Sequence, residues 1–289
     1  MKEHVIINRN KINSFISSHK YSLRSNCTLY NWKGEQFIKS ENIEEVIQYF
    51  FVGNAINFCF WNENCYDRYT YKGFTGSAAM WKFIDNPILL NSYYLKNISL
   101  LDWEDLERMP LPEKRIEALR EVGNVLCDKY DGKAVNICIS ENWDAEKIVK
   151  RVVKEFHCWK DEYNNVKFNK RARLFAVMIY GRFADKKLIS NIINFPCLAD
   201  YQLPKVLHSM GILLYSNELN RMIIEQKEIP YQSKMEYDIR SKTLQAVQMI
   251  SEELFRDGVL VKPIYLDYYI WNLSHSINEP HHLTKTMAY

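Results

Sequence analysis

The sequence predicts a mainly α fold, a single globular helical domain that carries one or two small β-hairpins. Nine Gly and eight Pro in 289 residues are few, which disfavours a loop-rich β-sandwich. Apolar residues recur at helical spacing over several long segments, whereas strand-like runs are short. No repeat or Pro/Gly/Ser-rich linker divides the chain, so we expect one domain over 1–289 and leave open a subdivision into sub-lobes 1–110 and 111–289.

The helical segments follow the i, i+3, i+4, i+7 pattern. The first starts at Ser40, a suitable N-cap, and is expected to continue through Asn57–Trp61. Pro204 suits the first turn of a helix that runs to about Tyr215. Asp257-Gly258 is typical of a helix C-terminus. The other predicted helices cover residues 113–130, 144–158, 170–183 and 236–256.

Strand signals are few and short. Thr28–Trp32 and Glu35–Ile38 flank Lys33-Gly34, and Tyr66–Tyr71 precede Gly73, so each stretch is interpreted as a small hairpin. The polar and aromatic stretch over 61–76 lacks helical periodicity and suits a lid or a pocket wall.

Charge and composition narrow the function classes. The 38 basic and 35 acidic residues give a net charge of +3, without the basic excess expected of a protein that grips a duplex or a whole RNA. The seven Cys are scattered, without a C-x-x-C pair, so no metal site is expected and a reducing compartment is indicated. The N-terminus lacks a signal-peptide pattern and no apolar stretch approaches ~18 residues, so the expectation is a cytoplasmic protein without a membrane partner.

Four segments combine residue types that suit chemistry, and each has a structural alternative. Asn57–Trp61 (NFCFW) suits stacking and reading of a base, or the buried end of a helix. Lys170, Arg171 and Arg173 place cations at a helix start, against the dipole preference, so a carboxylate or an anionic ligand is expected nearby, or else a solvated basic face.

Asp200 lies just upstream of the helix predicted from Pro204 and is either a simple cap or an ionised carboxylate placed for catalysis. The C-terminal region, Leu266–Trp271 and then 280–289 with His281 and Lys285, suits an anion better than zinc, or is a frayed terminus.

In this order the segments resemble the queuosine 5′-phosphate N-glycosylase family, also called queuosine salvage proteins. The resemblance spans nearly the whole chain, and its specificity lies in the ordered set of motifs. The matching motifs are Asn57–Trp61, Tyr130-Asp131-Gly132, Lys170-Arg171-Ala172-x-Leu174, Ala199-Asp200-Tyr201-x-x-Pro204-x-x-Leu207, Ile239-Arg240, Leu266–Trp271 (LDYYIW) and Pro280-His281-His282 with Tyr289.

The resemblance implies a fold similar to helical DNA glycosylases and release of queuine from the 5′-nucleotide, without a cofactor or metal. It implies Asp200 and Lys170 as the catalytic pair. The chain departs from the family at several positions, because Arg173, Gln202, Lys205 and Leu283 replace residue types that are common there. These departures bear on substrate preference and on phosphate binding.

The remaining candidates are assigned by chemistry. Phe58, Trp61 and Trp81 are expected to stack the base and Asn57 to read its edge, and the 5′-phosphate is assigned to the tail and Arg240. We also expect a monomer that binds queuosine 5′-phosphate as a small-molecule substrate and binds no nucleic acid. The full set of expected substrate-binding residues is Asn57, Phe58, Trp61, Trp81, Tyr201, Arg240, Asp267, Trp271, His281, Lys285 and Tyr289.

Three competing interpretations stay open. One is a nucleosidase that acts on queuosine or on another 7-deazapurine nucleotide. A second is a non-catalytic nucleotide- or tRNA-binding module, against which the near-neutral charge and the Lys170/Asp200 pair argue. The third is a DNA glycosylase, which needs a basic duplex-binding face and a wedge residue, and neither is visible in the sequence.

Overall fold

The computed structural model describes residues 3–289, apart from the side chain of Asn26. Helices dominate this part of the chain and strands form only two-stranded pairs, so the prediction of a mainly α fold is confirmed. The likeness to helical DNA glycosylases stays a prediction. The helices are α1 (Arg9–Asn26), α2 (Ile43–Ala55), α3 (Ser77–Phe83), α4 (Ser92–Leu95), α5 (Glu104–Glu107), α6 (Pro112–Lys129), α7 (Val135–Ser140), α8 (Ala145–Glu155), α9 (Lys170–Arg182), α10 (Gln202–Ser209), α11 (Asn217–Ile224), α12 (Lys234–Arg256) and α13 (Pro263–Leu273), and the strands are β1 (Val5–Ile7), β2 (Thr70–Tyr71), β3 (Phe74–Thr75), β4 (Glu162–Tyr163), β5 (Val166–Lys167) and β6 (Leu213–Tyr215).

The long helices begin and end close to the predicted positions because their signals are local. α2 is capped by Asn42, whose side chain accepts a hydrogen bond from the Glu45 main-chain N–H, and not by Ser40 as expected. Ser40 lies outside the helix, and its hydroxyl accepts from the Asn42 N–H. The C-terminal signal at Asp257-Gly258 is confirmed, because α12 ends at Arg256 and Gly258 takes a φ of 75°.

Two helix predictions extend too far. The helix at Pro204 ends at Ser209 and not near Tyr215, because Gly211 adopts a left-handed φ of 69° and turns the chain. Residues Leu213–Tyr215 then form β6, which pairs antiparallel with β1. Likewise α2 stops at Ala55, so Asn57–Trp61 does not continue it.

The hairpin predictions have two outcomes. β2 and β3 form an antiparallel hairpin, which confirms the strand signal before Gly73. The hairpin across Lys33-Gly34 is wrong, because neither Thr28–Trp32 nor Glu35–Ile38 forms a strand. The carbonyl groups of Trp32 and Ile38 instead accept hydrogen bonds from the buried Arg182 guanidinium.

The chain forms two compact units built from interleaved segments. Unit 1 comprises Met1–Tyr30, Glu162–Phe168 and Ile193–Lys285, and unit 2 comprises Asn31–Asp161, Asn169–Ile192 and Thr286–Tyr289. Neither boundary falls at residue 110, where the sequence left a subdivision open. A single functional domain over the whole chain stays a prediction.

Each unit has a distinct core. In unit 1 the apolar faces of α1, α10, α12 and α13 pack together, with β1 and β6 along one side. In unit 2 aromatic rings cluster between α2, α8 and α9, where Phe51 stacks on Trp159 at 4.8 Å and meets the edge of Phe175 at 5.1 Å. Offset and edge-on ring contacts of this kind add stability beyond area burial.

Within unit 2, α6 crosses α4 at Gly123 with backbone nearly in contact. A Cβ at Gly123 would lie 2.5 Å from the Lys96 nitrogen and 2.7 Å from the Leu95 carbonyl carbon. Main chain cannot move aside as a flexible side chain can. The contact therefore requires glycine at position 123.

Gly123→Ala should destabilise the protein by about 2–3 kcal/mol, because overpacking outweighs the better helix propensity of alanine. Denaturant unfolding measures the change. Gly73→Ala is a suitable control, since Gly73 has a positive φ but nothing within 4 Å of a new Cβ, so it tests backbone strain alone. Equal stability of Gly123→Ala and wild type would contradict the close crossing.

Candidate active site

Asp200 in unit 1 is a shielded carboxylate at the start of α10. The residue is 8% exposed, and Oδ1 accepts a hydrogen bond from the Gln202 main-chain N–H at 2.7 Å. Pro204 lies in the first turn of α10, as predicted. Asp200 therefore lies one residue before the N-cap position Tyr201, accepts from the first main-chain N–H of α10 and is buried at the same time.

The main chain just before Asp200 is held by two predicted site residues. The Leu198 N–H donates to Oδ1 of Asp267 at 2.6 Å. Nε of Arg240 donates to the Ala199 carbonyl oxygen at 3.1 Å. These contacts place Asp267 and Arg240 against the residues that precede the catalytic candidate, and they limit its movement.

Arg240 itself is buried in a mixed ionic and aromatic environment. Its guanidinium pairs with Glu236 at 3.4 Å and lies 4.0 Å over the centre of the Phe168 ring. These contacts give Arg240 a structural role in unit 1. Its contact with the 5′-phosphate stays a prediction from the sequence.

The C-terminal region is ordered core, so the alternative of a frayed terminus is wrong. His281 is buried and stacks on Tyr201 with ring centres 4.2 Å apart. The Ile229 N–H donates to the Leu283 carbonyl oxygen at 2.7 Å, which anchors the segment beside α11. The His281 ring therefore lies beside the residue that follows Asp200, whereas Lys285 is exposed.

His281 and His282 differ in their surroundings. Nδ1 of His281 lies 2.8 Å from the His282 carbonyl oxygen, which accepts only, so Nδ1 carries the proton. Burial, together with the nearby His281 and Arg240, lowers the pKa of His282 to about 3. His282 is therefore neutral in the folded protein at physiological pH.

Trp271 lies in a row of aromatic side chains. It is half-buried, stacks 6.1 Å from Tyr268 and meets His275 edge-on at 4.5 Å. Tyr268 in turn stacks on Tyr30 at 5.3 Å. These rings form an aromatic row in unit 1, and the assignment of Trp271 to the substrate stays a prediction.

In unit 2, Lys170 is the first residue of α9. Its backbone N–H donates to Oδ2 of the buried Asp161 at 3.2 Å, and the side chain is 8% exposed. Asn169 precedes the helix with a left-handed φ of 44°. The carboxylate that the cationic helix start predicted is thus Asp161, which the sequence interpretation had not identified.

Asn57–Trp61 forms a tight buried turn after α2. Cys59 adopts a φ of 42°, and its N–H donates to the main-chain oxygen of Tyr289 at 3.1 Å. The side-chain amide of Asn57 donates to Oδ1 of Asn54 at 3.2 Å. The structure therefore brings the predicted segment and Tyr289 together within unit 2.

Trp81 lies in a different aromatic cluster of the same unit. Its ring packs near Phe37, Tyr49 and Phe50, with centres 5.2 to 6.0 Å apart. It also fills the space beside Gly53, where a Cβ would come within 2.0 Å of the ring. These neighbours account for its burial, and its assignment to the base stays a prediction.

A cavity of about 380 Å³ in unit 1 lies away from these residues. It opens beside the C-terminal half of α12 and is lined by Gln248, Ser251, Glu252, Phe255, Arg256, Leu260 and Lys262. None of the predicted site residues contributes to it. Within residues 3–289, no three His, Cys, Asp or Glu side chains are grouped as metal ligands would be, and no helix is long and apolar enough to cross a bilayer.

Comparison with known proteins identifies the family. The model of the family described as queuosine salvage protein matches residues 37–289. The chain therefore belongs to the queuosine salvage protein family. Two similar proteins are each named queuosine 5′-phosphate N-glycosylase/hydrolase. The one from Bos taurus is 29% identical, with 89% of this chain and 86% of the relative aligned. The one from Sphaerobacter thermophilus is 28% identical, with 86% and 83% aligned.

A third relative extends the match over the whole chain. The protein of the same name from Dictyostelium discoideum is 26% identical over 100% of this chain and 95% of its own length. The resemblance that the ordered motifs indicated is thus confirmed.

The neutral state of His282 predicts a specific pH dependence. Between pH 6.5 and the folded pKa of about 3, the unfolded chain binds the proton that the folded protein excludes, so stability falls as the pH falls through this range. His282→Gln should reduce the slope of unfolding free energy against pH by up to about 1.4 kcal/mol per pH unit. Denaturant unfolding from pH 4 to 7 measures it, with His275→Gln as an exposed control. An unchanged slope in His282→Gln would contradict the assignment.

Proposed function

We propose that the protein hydrolyses the N-glycosidic bond of queuosine 5′-monophosphate and releases queuine and ribose 5-phosphate for queuine salvage. Membership of the queuosine salvage family and the names of the relatives support this activity. The observation that carries the proposal is the carboxylate of Asp200, shielded from solvent and fixed at the start of α10.

The leaving base explains why a carboxylate matters. Queuine is a 7-deazaguanine and lacks the N7 atom that enzymes protonate to weaken a purine glycosidic bond. Catalysis must then depend on stabilising the sugar as it gains oxocarbenium character. A preorganised carboxylate does this electrostatically, and groups of this kind contribute about 3–4 kcal/mol each.

In the proposed reaction, the bond between C1′ and the base nitrogen breaks and its electron pair leaves with the base. The Asp200 carboxylate stabilises the developing positive charge on the sugar. A water molecule then attacks C1′, and the same carboxylate accepts one of its protons. A proton delivered to the base completes the balance, and the products are the free base and the sugar phosphate.

The surroundings of Asp200 support this role. The hydrogen bond from the Gln202 N–H fixes one carboxylate oxygen. Asp267 and Arg240 hold the preceding residues, so little reorganisation is needed as charge develops. Loss of solvent access strengthens the electrostatic interaction with the sugar.

Lys170 is assigned as the second catalytic residue from the family motif. We propose that its charge balances the charge on the departing base, without forming a Schiff base. A lysine nucleophile needs a strongly lowered pKa, which a nearby carboxylate opposes. Borohydride trapping of a protein–sugar conjugate from the wild-type enzyme would contradict this assignment.

The base and phosphate contacts are proposed from the chemistry of the residues. Trp61 is the stronger stacking candidate in the Asn57–Trp61 turn, because the guanidinium groups of Arg115 and Arg171 lie over the Phe58 ring. Asn57 is assigned to the base edge. We assign His281, Lys285 and Tyr289 to the 5′-phosphate, with Arg240 supporting the site. The protein is proposed to act as a cytoplasmic monomer on the free nucleotide, with no nucleic-acid or membrane partner.

Purified protein incubated with queuosine 5′-monophosphate should release queuine, and Asp200→Asn should lower kcat by about 10²–10³-fold. Asparagine keeps the oxygen that accepts from the Gln202 N–H, so the variant removes the charge and retains the cap. Liquid chromatography of the free base measures turnover.

Asp238→Asn is the matched control, because Asp238 is a buried carboxylate of unit 1 that accepts from the His4 N–H. It should retain activity. Full activity of Asp200→Asn, with Asp238→Asn equally active, would exclude the proposed mechanism.

The phosphate assignment is tested by comparing the nucleotide with the nucleoside. Lys285→Ala should lower kcat/KM for queuosine 5′-monophosphate by about tenfold and leave queuosine almost unchanged, because a charged contact is lost only with the phosphate. Lys262→Ala removes another exposed lysine of unit 1 as control.

Equal losses on both substrates count against a phosphate role for Lys285. Faster turnover of queuosine than of the nucleotide by the wild-type protein would favour the nucleosidase alternative. Point variants are preferred to deleting 280–289, since that segment is largely buried.

A further inference from the structure

Arg115 is a fully buried arginine at the centre of the turn that follows α2. It comes from the first turns of α6, and its side chain has 0% exposure. Nη2 donates to the carbonyl oxygens of Phe58 at 2.6 Å and Cys59 at 2.7 Å, and Nη1 donates to the Ile56 carbonyl oxygen. One guanidinium thus contacts three carbonyl groups within four consecutive residues.

The fourth contact fixes the guanidinium itself. Nε donates to the Pro110 carbonyl oxygen at 2.8 Å, in the segment just before α6. The guanidinium also lies 4.4 Å over the centre of the Phe58 ring. The group is therefore held in place by its own segment and presents its remaining donors to the turn.

Arg171 completes the arrangement from α9. Its Nη1 donates to the carbonyl oxygens of Asn54 at 3.1 Å and Ala55 at 2.6 Å, and its Nη2 donates to the Cys158 carbonyl oxygen. The last carbonyl groups of a helix have no partner within the helix, and cations are favoured there. Two arginines thus satisfy the C-terminal end of α2 and the turn beyond it.

The turn needs such support because its conformation is unfavourable. Cys59 has a φ of 42°, a region that side chains other than glycine rarely adopt and that persists only where the surroundings enforce it. The carbonyl groups on both sides of this strained residue are buried, and buried carbonyl groups require partners. Arg115 supplies the partners for Phe58 and Cys59.

We propose that Arg115 is a positioning residue of the hydrolase, which fixes the Asn57–Trp61 turn in the conformation that binds the base. The inference rests on the proposed function, since it takes this turn as the wall of the base pocket. It assigns a functional consequence to a residue whose guanidinium donates to main-chain oxygens and lies over the Phe58 and Phe60 rings.

The chemistry of arginine is required at this position. A planar guanidinium directs five donors in fixed directions and reaches several carbonyl groups at once, whereas lysine has one compact ammonium group. Arg115→Lys therefore keeps the charge and loses the geometry. It tests the arrangement without leaving an empty buried space as large as alanine would.

Unit 2 also contains a matched control. Arg182 is buried as well, and its guanidinium donates to the carbonyl oxygens of Trp32 at 2.8 Å, Ile38 at 3.1 Å and Ser40 at 2.6 Å. Arg182→Lys removes the same kind of interaction from a different loop. A general loss of stability should affect both variants, whereas a loss of base binding should affect only Arg115→Lys.

The experiment measures hydrogen–deuterium exchange and steady-state kinetics on the full-length protein and both variants. In Arg115→Lys, peptides covering 56–61 should exchange faster, and KM for queuosine 5′-monophosphate should rise about tenfold with a smaller change in kcat. In Arg182→Lys, faster exchange should be confined to peptides covering 32–40, with KM unchanged.

The outcomes separate the inference from the proposed function. Unchanged exchange at 56–61 in Arg115→Lys overturns the inference whether or not the protein turns over the nucleotide. Equal KM changes in the two variants overturn it as well, because they indicate a merely structural role. If wild type releases no queuine, the proposed function fails, and the link between turn and base binding fails with it.

Discussion

The hydrogen bond between the Asp200 carboxylate and the Gln202 N–H is the interaction on which the proposed chemistry depends. It holds a negative charge at the start of α10, where the helix dipole favours that charge. The same bond restricts the carboxylate while burial removes competing water. An acidic group held this way can stabilise a developing cation without first reorganising its surroundings, which is the main source of electrostatic catalysis.

Buried arginines recur as supports for irregular main chain in this protein. Arg171 satisfies the last carbonyl groups of α2 and Arg115 those just after it. Arg182 satisfies carbonyl groups of the loop before α2, and Arg240 that of Ala199 beside Asp200. Irregular backbone in a protein interior is costly unless each carbonyl group has a donor. A guanidinium supplies several donors from one side chain, so the loops that carry the site can be both buried and non-helical.

The sequence predicted the helices because their signals are local. The apolar spacing in α6, α8, α9 and α12 lies within each segment, and capping residues such as Asp257-Gly258 mark the ends. The family was also recognisable, since the motifs from Asn57 to Tyr289 keep their order along the chain. The charge of Asp200 and its position at a helix start needed no tertiary information.

Features that depend on distant partners were decided by the tertiary structure alone. The expected Lys33-Gly34 hairpin is absent because Arg182 takes up its carbonyl groups, and the region near Tyr215 is a strand because it meets β1, about two hundred residues earlier. The hydrogen bond from the Lys170 main-chain N–H to the Asp161 carboxylate was likewise visible only in the folded structure. In the sequence, Arg115 is a cation four residues before Leu119, on the apolar face of α6. This spacing indicates that Arg115 is buried, but it does not show which carbonyl groups its guanidinium contacts. Periodicity reports which face is buried, and only the folded chain determines what lies against it.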